Sequence, residues 1–479
     1  MSFKNCEWWK SQGLGMNTTS NEACKFFDLT LDQLVTWKED DQFGGIDGSI
    51  ARIMSADENF VMGHVIKSGL ELIGSSNGFH ENNPQLIDHL LNLVKKYQKD
   101  LTKRELLHVD AIKNLHYGNL DKSCDIWESI LVQHPNDMLA IKFSHDTYFY
   151  TGQHAQMRDS ISRILPFWQS DVKMSGYLQG MHSFGYVQSN FFQEAKESAL
   201  RALEINRNDG WATHTICHFN EYRNNFNEGI KFLRNTETDW SGCNLISPHN
   251  YWHLALYHIE RGEHQAALEI FDQNITQYLE LNRTLDMVDV ISLLYRLKLD
   301  NCKIDLSERW SRLMDVFRNR ISDHGYIFND MHLILMLCSC KDKQGEKEFF
   351  DSLIRYLNKD NQDVVIDYCN NVIGMKNTEN YIKKINRNIG VNIFDGIKHF
   401  ELSEYDKVVD CLRPIRYDIV KIGGSNAQRD LLNQILVHSA LLSSNEENKK
   451  FGLGLINERF GLKPDSNLTK RIQTRLLLH

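Results

Sequence analysis

Small or slim residues recur at near-constant spacing through the middle of the chain. Ser123, Met157, Ala195, Gly229 and Ala267 each stand early in an amphipathic segment that follows a short turn, and successive spacings are 34, 38, 34 and 38 residues. Each turn is preceded by another segment with apolar residues three and four apart, so the unit reads helix–turn–helix. Leu120-x-x-x-Cys124-x-x-Trp127-x-x-Ile130-Leu131, ending at His134-Pro135, is one such helix. A small residue at the anchor lets two helices approach closely, and neither buries its apolar stripe alone. A chain built this way must stack its pairs in series.

A period near 34 with this content is the signature of a tetratricopeptide repeat. Around Ala195 the unit reads GMHSFGYVQSNFFQEAKESALRALEIN, with Tyr186 nine residues before the anchor and Ala199 and Ala202 four and seven after it. Gly396 and Val408 fit a further unit, as do Ala440, Gly452 and Pro464. Only 6 of 479 residues are proline, too few for the closely spaced turns of a sandwich or barrel. The expected fold class is all-α, a tetratricopeptide-repeat-like α-solenoid in which antiparallel helix pairs form a superhelix. Irregular capping repeats are expected over 1–100, regular repeats over 101–275, irregular helical repeats over 276–372, and C-terminal repeats with a cap over 391–479, all in one continuous solenoid. Residues 373–390, polar and rich in Asn and Lys, read as a flexible connection. Thr19-Ser20-Asn21-Glu22 predicts a capping box in which Thr19 caps and Glu22 reciprocates.

Charge and compartment narrow the partners. The 54 basic and 63 acidic residues give a net charge of −9 with no block of like charge, which argues against nucleic acid. Met1–Lys10 has no apolar signal region, and no apolar run approaches the roughly 18 residues of a membrane span. Ten scattered cysteines form no C-x-x-C pair. A cytoplasmic chain with reduced thiols and no membrane partner is expected.

The stretches TTSNEACKFFD at 18–28, KFSHDTYFY at 142–150, MRDS at 157–160, HNYWHLALY at 249–257 and GGSNAQRD at 423–430 resemble the tetratricopeptide repeat protein 38 family. They are spread over nearly the whole chain. The resemblance implies a cytosolic repeat protein and supplies no activity.

In repeats of this kind the first helix of each pair lines the concave surface, at positions 18, 15, 11 and 8 residues before the anchor. Steps of three and four place these on one helix face. They are Leu139, Lys142, Asp146 and Phe149; Tyr177, Gly180, Phe184 and Val187; Trp211, His214, His218 and Glu221; and His249, Trp252, Leu256 and Ile259. Only Lys142 suits a peptide's terminal carboxylate, so an acidic chaperone tail is not the expected ligand. Trp211, Trp252 and Tyr177 bring large contact area with few rotors, which suits a peptide or a flat ligand. Trp127 and Trp168 read as core and turn packing.

His214 and His218 are four apart with Glu221 three further on, and His249 with His253 repeats the spacing on the next inner helix. Two imidazoles at i and i+4 can share a metal ion, which makes His214, His218, His249 and His253 candidate ligands. Asp286 and Asp289 on the following helix are possible additions, although their register is not fixed by the sequence. The competing reading is hydrogen bonding within helix interfaces. On that competing reading His253, one residue off the concave stripe, bonds a carbonyl there instead of joining the cluster. Gly423-Gly424-Ser425-Asn426 predicts a turn and an N-cap, and a superhelix that completes a turn would bring Gln428 and Arg429 opposite the histidines. No nucleophile elbow, phosphate loop or dinucleotide fingerprint occurs.

Two functions follow as expectations. One is binding of a peptide, protein segment or small ligand on the concave face, with no catalytic residue and no cofactor. The other is a metal-dependent or histidine acid–base enzyme in an enclosed cavity, with a divalent transition metal. Asp146, Tyr177, Trp211, His214, His218, Glu221, His249, Trp252, Gln428 and Arg429 are the candidate groove residues.

Overall fold

Where the period predicts a pair, the chain forms one. The computed structural model describes residues 4–169, 174–358, 363–367, 372–376 and 380–477. Helices Lys103–His116 and Leu120–Gln133 pack as a hairpin, followed by Met138–Tyr150 with His154–Ile164 and Ser175–Gln188 with Phe192–Ile205. Gly210–Tyr222 with Phe226–Asn235 and Ser247–Arg261 with His264–Ile270 continue the series. Ser123, Met157, Ala195 and Ala267 are wholly buried at the closest approach of each pair.

The turns follow a second regularity. Gly118, Gly152, Asn190, Asn224 and Gly262 all take left-handed backbone, and each lies five residues before its anchor. Ser403, five before Val408, does the same. Glycine and asparagine tolerate this conformation best, so the turn chemistry and the anchor are written together. The fold is an all-α, tetratricopeptide-repeat-like solenoid of antiparallel helix pairs.

The later units of the sequence reading also form. Val391–Glu401 pairs with Tyr405–Leu412, and Asn426–Leu442 pairs with Glu446–Leu462. A Cβ on Gly452 would lie 2.9–3.1 Å from Leu441 and Ala440, which explains the slim residue there. At Gly229 a Cβ would lie 2.5 Å from the buried Tyr257 ring, whose hydroxyl donates to the Cys217 carbonyl at 2.6 Å. Gly229→Val should therefore lower stability by about 2–3 kcal/mol through overpacking. In urea unfolding the midpoint is expected to fall with the slope unchanged.

The array then turns back on itself. Asn426–Leu442 packs against the inner helix Thr284–Leu299, and Asn467–Leu477 against Ser247–Arg261. Arg296 donates to the carbonyls of Ala427 at 2.7 Å and Gln428 at 3.1 Å, and the Asn426 amide donates to Gln188 Oε1 at 3.0 Å. Most buried apolar residues from Trp9 to Ile472 belong to one contiguous cluster, with Ala199, Ala202, Ala212 and Ile216 forming a small second one.

Two local expectations are corrected. Ser20, not Thr19, caps the helix Asn21–Thr36, accepting from the Ala23 amide at 3.1 Å. Thr18 instead bonds Asp57 at 2.5 Å. Residues 373–390 are not simply a connection. Strands Asp363–Asp367 and Val372–Lys376 pair antiparallel, and Tyr381–Ile385 is helical with Asn380 as its cap. Asn386 is fully buried and donates to the Gly325 carbonyl at 3.0 Å, which fixes this segment to the core. Residues 377–379 lie outside the described residues. Cys6 and Cys24, remote in sequence, bring their sulfurs to 3.3 Å. Among the described residues no helix is long and apolar enough to cross a membrane.

Candidate functional site

The histidines sit on two neighbouring inner helices whose orientation is fixed by bonds between pairs. Asp209 caps the helix Gly210–Tyr222, accepting from the Trp211 and Ala212 amides at 2.9 and 3.1 Å. Its carboxyl is pushed up to about 7 by burial, the two amides working against that rise. A Cβ on Gly180 would lie 2.7 Å from that carboxylate, so glycine is required where the preceding inner helix passes. Ser183 donates to Thr215 at 2.8 Å, and Trp252 Nε1 to Ser292 Oγ at 3.0 Å. These links hold successive inner helices in one register.

Within that frame the four imidazoles converge. His214, His218, His249 and His253 each offer a ring nitrogen within 4.8 Å of the others, and all four are buried. Nε2 of His214 and Nε2 of His218 face each other at 3.0 Å. Ring centroids of His218 and His253 are 4.4 Å apart, and those of His214 and His249 4.8 Å. His249 Nδ1 is held by Asp289 Oδ2 at 2.6 Å, which leaves its Nε2 directed away from that carboxylate. His253 is wholly buried, and neither of its ring nitrogens meets a hydrogen-bond partner in the protein. Its Nδ1 lies 3.7 Å from Glu221 Oε2, and Glu221 Oε1 accepts from Lys463 at 2.9 Å. Burial, reinforced by the neighbouring imidazoles, lowers His214, His218 and His253 well below the usual histidine value. Three of the four are therefore neutral at neutral pH, each with a nitrogen lone pair to offer.

Of the two places the sequence leaves open for His253, the structure has the cluster and not the carbonyl bond. His253 joins the cluster because helices in a superhelix are rotated relative to one another, so one step off the stripe still faces the interior. Asp289 joins as well, through His249, whereas Asp286 pairs with Arg283 at 2.7 Å. Gln428 serves the capping box of its helix with Ser425, and its side chain approaches Asp289 and favours its charged form. Arg429 binds the carbonyls of Gly423 and Gly424 and Asn426 Oδ1, and burial lowers its guanidinium to about 10.

The remaining groove residues are spread wider. Trp252 stacks on His249 at 5.0 Å. Trp211 is buried, donating to the Val35 carbonyl at 2.8 Å and packing on Trp37. Tyr177 belongs to a joint outside the cluster, where its hydroxyl accepts from Asn206 at 2.8 Å. Asp146 is paired with Lys142. Trp127 is core and Trp168 bonds the Pro135 carbonyl at 2.8 Å, as the sequence predicts. Lys463 and Arg296 carry no local sequence signal of their place, because each reaches the interior from a distant element.

No family model matches the chain. Among solved structures it is similar to the crystal structure of the APC/C hetero-tetramer Cut9–Hcn1, at 12% identity and a TM-score of 0.40, covering 98% of this chain and 87% of that one.

Proposed function

We propose that this chain holds a small polar ligand in a closed chamber on its concave side and does not grip an extended peptide there. One observation carries the reading. His218 Nδ1, both nitrogens of His253 and Glu221 Oε2 lie buried without a hydrogen-bond partner, on helices that Asn467–Leu477 packs against and Lys463 reaches. Leaving such a group unpaired costs about 1–3 kcal/mol, and buried polar groups normally have partners. Several such groups converging on one place match a ligand that supplies the bonds. An extended peptide would need an open groove of about 800 Å² on this side, and here the inner helices are already covered. A closed polar chamber suits a small molecule or ion.

The finer family assignment, to the tetratricopeptide repeat protein 38 family, rests on the five strings quoted above. With it comes the proposal of a cytoplasmic protein with free thiols, in keeping with nine cysteines that form no disulfide among the described residues. Native mass spectrometry of the purified full chain, set against its denatured mass, tests the chamber. A discrete mass excess released on unfolding is the expected result. Equal native and denatured masses would overturn the reading.

A further inference from the structure

The chamber reading says that something small is held; the donor set says what. We propose that His214, His218, His249 and His253 bind one divalent transition-metal ion, an inference that rests on the closed chamber described above. Tetrahedral coordination with bonds near 2.0–2.1 Å places ligand nitrogens about 3.3 Å apart. The closest pair here stands at 3.0 Å, and all four nitrogens are within 4.8 Å, so side-chain torsion adjustments of about an ångström complete the set.

Three features favour a metal over a hydrogen-bonded cluster. The first is His253: a neutral imidazole always carries one N–H, and in this ring neither nitrogen has a partner to donate to or accept from. A metal ion takes one nitrogen directly and leaves the other as an N–H aimed toward Glu221, 3.7 Å away. The second is Asp289, which fixes the tautomer of His249 by accepting from Nδ1 at 2.6 Å. Carboxylates placed this way orient a ligating histidine and raise its basicity. The third is charge. Asp289 stands behind His249, and Glu221, shared with Lys463, behind His253, where the carboxylates offset part of a bound dication's charge.

The donor atoms also select the metal class. An all-imidazole set suits zinc, copper, nickel or ferrous iron and is foreign to magnesium and calcium, which take oxygen. Cys217 stays outside it, on the same helix as His214 and His218 but absent from the converging group. Another close histidine pair, His64 and His89 with ring centroids at 4.6 Å, brings no third ligand among the described residues.

The full chain, stripped with a strong chelator, is reloaded separately with Zn²⁺ and with Co²⁺. One ion per chain is expected, with visible bands of nitrogen-ligated Co²⁺ and a rise in melting temperature. His214→Gln and His253→Gln should each weaken Zn²⁺ binding at least 100-fold. Asp289→Asn, which keeps all four ligands, should weaken it 10–100-fold and so tests the site even where a ligand variant fails to fold. Metal retained at wild-type affinity in a folded His214→Gln chain would be adventitious and would overturn the proposal. A native mass excess that survives chelation, with less than about a tenth of an ion taken up, would overturn the metal and leave the chamber reading standing. No mass excess and no metal uptake would remove both.

Discussion

Between pH 6.5 and 5 the folded chain should lose most of its stability, above the range in which solvent-exposed carboxylates protonate. Burial lowers His116 and His182 to about 4, and His154, His332 and His438 to about 3. His214, His218 and His253 are lowered well below the usual value in the same direction, by burial and by neighbouring imidazoles. In the unfolded chain each titrates near 6.5. As pH falls through that value the unfolded state takes up protons that the folded state refuses. The stability contribution is thus complete above 6.5 and drains away toward the folded values.

Asp209, Asp286 and Asp289 act in the opposite sense, because burial raises them and the folded state binds their protons first. With His64 and His134 also lowered by burial, and Asp125 and Asp323 also raised by it, ten histidines stand against five carboxyls, a net difference of about five protons or several kcal/mol per pH unit. A domain has only about 5–15 kcal/mol in total. Urea midpoints measured at pH 7, 6 and 5.5 should fall by more than half across the series. A flat profile would mean that these rings are charged and paired in the folded chain. Any bound metal should leave in the same window, since protons compete for the same nitrogens.

Gly152→Val should open the seam that closes the superhelix. Gly152 has φ of +68°, and a Cβ there would lie 1.8 Å from the Val420 carbonyl oxygen. Across the same seam, a Cβ on Gly423, at φ +83°, would lie 2.5 Å from the Tyr150 carbonyl. Neither backbone can yield without separating the turn after Met138–Tyr150 from the loop that leads into Asn426–Leu442. Left-handed strain and the clash together should cost at least about 3 kcal/mol. Hydrogen exchange should rise first over 419–430 and then at the buried histidines, while the hairpin around Ala195 stays protected. Gly242→Ala, where an added Cβ meets nothing within 4 Å, is the control and should change stability by less than about 0.5 kcal/mol. Equal exchange in the two variants would show that the seam does not hold the chamber shut.

These effects divide along the line between what neighbours in sequence encode and what they do not. The pairing of helices was legible because its determinants are local. The small anchors, the left-handed residue five positions earlier, and Ser425 with Gln428 at the helix start all act within one or two turns of chain. The inward stripe of His214 and His218 followed from the same 3.6-residue period. Tyr177 was misplaced by that reasoning because a position on the stripe is inward only where the next helix leaves it uncovered, and here it meets Asn206.

The sequence by itself determined an all-helical solenoid, the inner faces of its regular repeats and two of the histidines as neighbours. Only the tertiary structure decided that His253 turns inward, that Asp289 seats His249, and that Lys463 reaches Glu221 across 242 positions of chain. The reason is accumulation: each repeat adds a small rotation to the last, and the sum over many repeats sets which distant elements meet. No single repeat carries that angle, so no local pattern announces where the superhelix closes.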